Sequence, residues 1–129
     1  MKILSAAEMR EVDRLTTERF GVPSLTLMEN AATRTVEALE KLFCNVRGKR
    51  ALIICGIGNN GGDGAAIARL LHHKGALVDG LLLGKAGDSK GDAKTNFEAA
   101  LAITRDATPE FRFVEITTKE QFWQEATAH

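Results

Sequence analysis

The sequence has little of what several specialised protein classes need. Its two cysteines, Cys44 and Cys55, are too few and too scattered for a disulfide framework or a metal cage, so we expect reduced thiols. With only two prolines and 12 glycines among 129 residues, the composition excludes a disordered or low-complexity chain. The apolar runs, such as residues 51–55 and 81–83, are far shorter than the ~20 residues of a membrane span.

An excess of charge of one sign is also missing. The 17 Lys and Arg residues balance 17 Asp and Glu residues, so the formal net charge is zero. A protein that binds nucleic acids or membrane surfaces usually has a basic excess, and we therefore expect no nucleic-acid partner and no membrane. The first 13 residues become charged before the apolar part of a secretory signal could form, which favours a cytoplasmic protein.

The order of predicted elements indicates an α/β fold. A capping box at Ser5 and Glu8 opens a helix to about residue 20, and a second box at Thr117 and Glu120 opens the last helix. Between them the patterns predict a helix over 24–44, strands over 51–55, 76–83 and 111–116, and helices over 65–74 and 92–104. Two helices followed by βαβαβα predict a mostly parallel sheet with helices on its faces.

The predicted sheet is narrow. The length of the chain is typical of one domain, so we assign residues 1–129 to a single domain. The apolar run at 51–55 does not alternate, which predicts a strand buried on both faces. Three parallel strands rarely stand alone, and His129 stands where a fourth strand should begin, so we expect a domain that is incomplete at its C-terminus. An uncovered edge or face predicts self-association into a homo-oligomer.

A glycine-rich loop over residues 56–64, GIGNNGGDG, lies between the first strand and the next helix. Its glycines at 56, 58 and 61 fit the dinucleotide fingerprint, in which backbone amides approach a pyrophosphate at a helix N-terminus. That fingerprint needs an acidic residue near the end of the second strand. Asp79 lies near the start of that strand instead, so a hydride-transferring Rossmann site is disfavoured.

The polar residues of this loop suggest other chemistry. Asn59 and Asn60 offer carbonyl oxygens, which hard cations prefer as ligands. Asp63 could cap the helix, bind a hydroxyl group or bind a cation. Alternatively, the asparagines and glycines supply only left-handed turn geometry. We favour a functional loop, because so many of these residues stand together at a strand-to-helix junction.

Four other positions have simpler interpretations. Cys55, at the end of the first strand, is predicted to pack in the core, since it has no evident His partner. His72 and His73 are predicted to be a solvated helix end, because adjacent helical side chains diverge. Glu29 lies beside an apolar helical face, where lining a pocket, capping a helix and solvating the surface remain open.

Four segments resemble the NAD(P)H-hydrate epimerase family, the YjeF N-terminal domain. The main one is GNNGGDG at 58–64 followed by ARL at 68–70, which looks like the family signature. LMENAA at 27–32 and GDAKTN at 91–96 resemble the family's segments in the neighbouring helices. Residues 5–13 resemble its first helix, so the similar segments run from about residue 5 to about 100 in the family's order.

This resemblance implies a three-layer αβα, Rossmann-like sandwich that repairs damaged nicotinamide cofactors. The family interconverts the R and S epimers of NADH hydrate and NADPH hydrate (NADHX and NADPHX). A separate ADP- or ATP-dependent dehydratase uses only the S epimer. Because the two epimers interconvert, this dehydratase can remove both of them. Carried over to this chain, the nucleotide contacts fall on Asn59, Asn60, Gly61, Gly62 and Asp63. The resemblance also implies that Asn60 is a ligand of a potassium ion.

The chain departs from the family after its first half. The resemblance places the family's acid/base aspartate, which ends a later strand, beyond His129, and no aspartate follows Asp106. No later glycine loop is present either. The catalytic residue therefore stays unknown, and we expect these residues alone to be weakly active at best. The alternative is a non-catalytic nucleotide-binding or scaffold domain of the same fold.

Overall fold

The computed structural model describes residues 5–106 and 109–127. They form five helices and three strands, with a short 3-10 turn at Ala86–Asp88: α1 Ala6–Phe20, α2 Ser24–Leu42, β1 Arg50–Cys55, α3 Asn59–His73, β2 Leu77–Leu83, α4 Gly91–Arg105, β3 Phe111–Ile116 and α5 Lys119–Ala126. Within these ranges the helices are too short or too polar to cross a membrane.

The three strands form one parallel sheet in the order β1-β2-β3. In the register of the sheet, Leu81 of the central strand lies between Ile54 and Val114. Helices α3 and α4 pack against each other and against the sheet, so they cover the same face. Two right-handed crossovers that step in the same direction give this arrangement. The predicted α/β class and the parallel pairing are confirmed.

The core lies between the sheet and α2, α3 and α4. Phe97 of α4 stacks on Phe113 of β3, with ring centroids 6.3 Å apart. Gly80 of β2 makes room for that ring, because a Cβ there would come within 2.3 Å of Phe113 Cδ2. Small side chains on α3 bring this helix close to the sheet; the buried ones are Ala65, Ala66 and Ala68.

Helix α5 lies on the opposite face, which gives three layers. Arg112 of β3 makes an ion pair with Glu125 of α5 at 2.9 Å and another with Asp79 of β2 at 3.7 Å. Because α5 contacts mainly β3, the side chains of β1 on this face stay exposed, Leu52 by 47% and Ile54 by 51%. The prediction that β1 is buried on both faces is therefore wrong for the part of the protein that the structure describes.

The two capping boxes have different outcomes. At α1 the box is confirmed: Ser5 Oγ accepts from the backbone N–H of Glu8, and Glu8 Oε1 accepts from that of Ser5, both at 3.1 Å. At α5 the predicted box is absent, and the N-cap lies one residue later than predicted. Thr118 caps the helix by accepting from Gln121 N at 3.1 Å, while Gln121 Oε1 accepts from Thr117 N.

Candidate functional site

The glycine-rich segment is mostly helical. Helix α3 begins at Asn59, six residues before the predicted start at Ala65, and Gly58 is its N-cap. The first helical hydrogen bond runs from Gly62 N to Gly58 O at 3.0 Å. The predicted loop is thus reduced to residues 56–58, and the NNGGDG stretch forms the first two turns of the helix.

Three glycines allow these turns to lie unusually close to their neighbours. A Cβ on Gly61 would stand 1.7 Å from the carbonyl oxygen of Gly56. One on Gly62 would stand 2.8 Å from Ala93 Cα of α4, and one on Gly64 would meet Cys55 Sγ at 2.8 Å. None of the three glycines has a positive φ, so the interpretation that they supply left-handed turns is wrong. They are needed for close packing.

Asn59 and Asn60 form the exposed start of α3 at the carboxyl edge of the sheet. The first backbone N–H groups of a helix have no intrahelical acceptor, and the N-cap, Gly58, has no side chain to satisfy them. These amides and the helix dipole together give the end of α3 a partial positive charge. A phosphate or another anionic group suits this position.

Asp63 lies farther along the helix than a cap would. Because Gly58 is the N-cap, Asp63 is in the second turn, where it is half-buried. The hypothesis that Asp63 caps α3 is therefore wrong. Its position three residues after Asn60 puts both side chains on one side of the helix. Binding of a hydroxyl group or a cation by Asp63 stays a prediction.

An open cleft of about 720 Å³ lies at the carboxyl ends of β2 and β3. Gly84, on its wall, leaves room for Ile57, since a Cβ there would stand 2.7 Å from Ile57 Cγ2. Glu115 Oε2 accepts from Ala86 N at 2.8 Å and so fixes the loop between the cleft and α4. Polar side chains around the cleft are Lys85, Asp88, Thr117, Thr118 and Lys119.

These cleft residues could not be assigned to a site from a motif. The available signal was positional: each follows the carboxyl end of a parallel strand, where open α/β sheets bind ligands. Asp79, in contrast, is the third residue of β2 and makes an ion pair with Arg112. It therefore lies away from this edge, as expected from the sequence.

The catalytic position has no assignment in the described part of the chain. The resemblance places the family's aspartate after His129. His129 itself lies outside the described residues. The identity of the acid/base group therefore stays a prediction from the resemblance alone.

The side chain of Glu29 contacts a residue of α3. Its Oε2 accepts a hydrogen bond of 2.9 Å from Arg69, so Glu29 takes part in helix packing. The side chain of His72 packs on Phe111, with ring centroids 5.0 Å apart. Among residues 5–106 and 109–127, no three His, Cys, Asp or Glu side chains are grouped to hold a metal ion.

Cys55 is a core residue, as predicted. Its side chain is 1% exposed, and burial raises the pKa of its thiol to about 11. The thiol is therefore protonated near neutral pH, which makes it a poor nucleophile. Cys44 is exposed, and both thiols are free.

Comparison with known proteins identifies relatives of this chain. The family model described as "YjeF-related protein N-terminus" matches residues 24–124. The chain is 48% identical over 99 residues to the bifunctional NAD(P)H-hydrate repair enzyme Nnr of Moorella thermoacetica. This alignment covers 76% of this chain and 19% of that protein. It is 47% identical over 81 residues to the NAD(P)H-hydrate epimerase of Weissella koreensis, covering 63% and 36%. It is 40% identical over 99 residues to the NAD(P)H-hydrate epimerase of Limosilactobacillus reuteri, in an alignment that covers 77% of this chain and 46% of that protein. The chain thus spans from a fifth to under half the length of these relatives.

Proposed function

Because the chain belongs to the YjeF-related protein N-terminus family, we propose that it provides the nucleotide-binding part of an NAD(P)H-hydrate epimerase. The reaction proposed for the whole protein is the interconversion of the R and S epimers of NADHX and NADPHX. The names of the Weissella and Limosilactobacillus relatives describe this activity. The Moorella relative is named a bifunctional repair enzyme, which supports an ADP- or ATP-dependent dehydratase as a partner.

The observation that carries this proposal is the glycine-packed start of α3. The exposed side chains of Asn59 and Asn60 and the first backbone N–H groups of the helix lie at the carboxyl edge of a parallel sheet. Ile57, just before the helix, lies against Gly84 in the wall of the cleft at β2 and β3. A pyrophosphate suits the amides, and asparagine side chains can both donate to and accept from a nucleotide. We propose that the ligand contacts fall on Asn59, Asn60, Gly61, Gly62 and Asp63.

We also propose that Asn60 contributes to a potassium site. A cation at this position faces the positive end of α3, which by itself disfavours it. The carboxylate of Asp63, on the same side of the helix, offsets that cost, and the Asn60 amide offers an oxygen ligand of the type hard cations take. These residues fit part of a coordination shell, and a bound ion would supply local positive charge for the ligand's phosphates.

The test of this proposal is ligand-induced stabilisation. NADPH hydrate in potassium buffer is expected to raise the Tm of the chain, because a ligand that binds only the folded state stabilises it. Asn60→Ala and Asp63→Ala are expected to reduce the rise in Tm, and replacing potassium by sodium is expected to reduce it in the wild type but not in Asn60→Ala.

Asp106→Ala serves as the matched control for these variants. Asp106 is an exposed C-cap of α4, at the end of that helix opposite to the cleft, so its removal should leave the ligand effect unchanged. Equal ligand-induced shifts in Asp106→Ala, Asn60→Ala and Asp63→Ala would contradict the assigned site. Equal shifts in the two salts would contradict the potassium ligand alone.

We propose that the chain acts in the cytoplasm and that it self-associates. The free thiols of Cys44 and Cys55 suit a reducing compartment. For self-association, we propose a second copy of the chain as the partner of β1. Parallel strands are normally covered on both faces, and two copies that pack the exposed apolar faces of β1, with Leu52 and Ile54, against each other about a twofold axis would cover them.

Self-association through β1 has a direct test. We expect a dimer by light scattering over a concentration series, and Ile54→Glu should shift it to monomer, because a charge on the exposed apolar face of β1 cannot be buried unpaired. Leu42→Glu is the control, since Leu42 is exposed at the end of α2 and away from the sheet face. A wild-type chain that is monomeric at every concentration would refute the dimer.

A further inference from the structure

Arg69 of α3 joins both neighbouring helices through one nitrogen. Its Nη2 donates to Glu29 Oε2 of α2 at 2.9 Å and to Asn96 Oδ1 of α4 at 2.5 Å. The two acceptors are 40 and 27 residues away along the chain. A single side chain on the middle helix thus holds α2 and α4 at fixed distances from α3.

The acceptor on α4 is fixed in its turn. Asn96 is 1% exposed, and its Nδ2 donates to the backbone oxygen of Asp92 at 3.2 Å and to the sulfur of Met28 at 3.0 Å. These bonds orient its oxygen toward Arg69. In the described part of the chain, Arg69 Nε is buried without a hydrogen-bond partner. Leaving a buried donor unpaired is unfavourable, so the contacts at Nη2 must hold the guanidinium in place.

The same three helices meet again at the glycine-packed start of α3. The position of a Cβ on Gly62 lies 3.1 Å from Met28 Cε and 2.8 Å from Ala93 Cα, so α2 and α4 both touch this turn. Gly62 and Arg69 are seven residues apart, which puts them on one side of α3 at a distance of about 10 Å along its axis. Both contacts therefore lie on the same side of α3, between the same two neighbouring helices.

We propose that Arg69 is a positioning residue for the ligand site. By holding Glu29 and Asn96, it keeps α2 and α4 pressed on α3 and so fixes where Asn59 and Asn60 stand at the carboxyl edge of the sheet. Its effect on ligand binding rests on the function proposed above, whereas its effect on the geometry of α3 does not.

Three variants test this role. Arg69→Met removes both hydrogen bonds and keeps most of the apolar stem. Arg69→Lys is expected to restore the positioning role in part, since both bonds come from one nitrogen and an ammonium group can donate to both acceptors. Arg112→Met is the matched control, because it removes two ion pairs of one side chain, to Glu125 of α5 at 2.9 Å and to Asp79 of β2 at 3.7 Å, on the face of the sheet opposite to α3.

The first readout is amide hydrogen exchange, which needs no ligand. In Arg69→Met, exchange of the amides of residues 62–64, the first that donate within α3, is expected to rise about tenfold or more relative to the rest of the chain, and Arg69→Lys should lie between this variant and the wild type. Arg112→Met should leave the relative exchange of 62–64 unchanged. A uniform rise over the whole chain in Arg69→Met would overturn the proposal, because a residue with only a general structural role gives that pattern.

The second readout is the affinity for NADPH hydrate. It is expected to fall about tenfold in Arg69→Met, to be partly restored in Arg69→Lys and to stay unchanged in Arg112→Met. If the wild type does not bind the hydrate, the proposed function fails, and the exchange experiment still decides the role of Arg69. Should Arg69→Met not fold, Glu29→Ala takes its place, since Glu29 is partly exposed; unchanged relative exchange in 62–64 would then overturn the proposal.

Discussion

Gly61→Ala is expected to destabilise the protein by about 3 kcal/mol or more and to lower its Tm by roughly 10 °C. The added methyl group would stand 1.7 Å from the carbonyl oxygen of Gly56, which is backbone and cannot rotate away. Either α3 moves outward or its first turn unwinds. Both changes displace Asn59 and Asn60, so the ligand-induced rise in Tm should disappear in this variant. Thermal and urea unfolding, with and without NADPH hydrate, measure the two effects.

Gly58→Ala is the matched control for this substitution. Gly58 is three residues away in the same motif, its φ of −87° is open to alanine, and no atom comes within 4 Å of the added carbon. We expect a stability within about 1 kcal/mol of the wild type. If the two variants were equally stable, the close approach of α3 to Gly56 would be refuted.

The rate of epimerisation is expected to be about 10²–10⁴-fold lower for this chain than for the Weissella epimerase, the range that one general acid/base group contributes. In the resemblance, the acid/base role belongs to an aspartate with no counterpart among these 129 residues. Purified R-NADPH hydrate in potassium buffer, followed by chromatography of the S epimer against the spontaneous rate, gives the measurement.

A rate equal to that of the relative would contradict this expectation. It would mean that a sufficient acid/base group lies within the chain, and Asp63→Asn would then be the first variant to make. It preserves the size of the side chain and removes the ionised carboxylate, so loss of the rate with an unchanged ligand-induced rise in Tm would assign the proton transfer to Asp63. Ligand binding without acceleration would favour the non-catalytic nucleotide-binding alternative.

Much of the fold could be predicted because its signals are local. The capping box at Ser5 and the strand at Phe111–Ile116 depend on neighbouring residues, and both are confirmed. The start of α3 was missed for the opposite reason. Glycines at 61, 62 and 64 are poor helix formers, and contacts with Gly56, Ala93 and Cys55 make this stretch helical. Such contacts between distant segments leave no periodic pattern.

The burial of β1 shows a second limit of sequence patterns. An apolar run indicates that a strand can be buried on both faces, but the position of other elements decides whether it is. Here α5 lies over β3, and Leu52 and Ile54 stay exposed. The candidate site divides in the same way. Asn59, Asn60 and Asp63 could be selected from a motif, whereas the contacts of Arg69 join residues far apart in the sequence.

The close packing of α3 has a consequence for the order of folding. Each glycine in its first two turns disfavours an isolated helix by about 1 kcal/mol relative to alanine, so this end cannot form early and wait for its neighbours. It becomes helical only when β1, α2 and α4 have docked on it. We therefore expect the asparagine pair to be assembled in the last step of folding, so that a partly folded chain lacks the proposed ligand site.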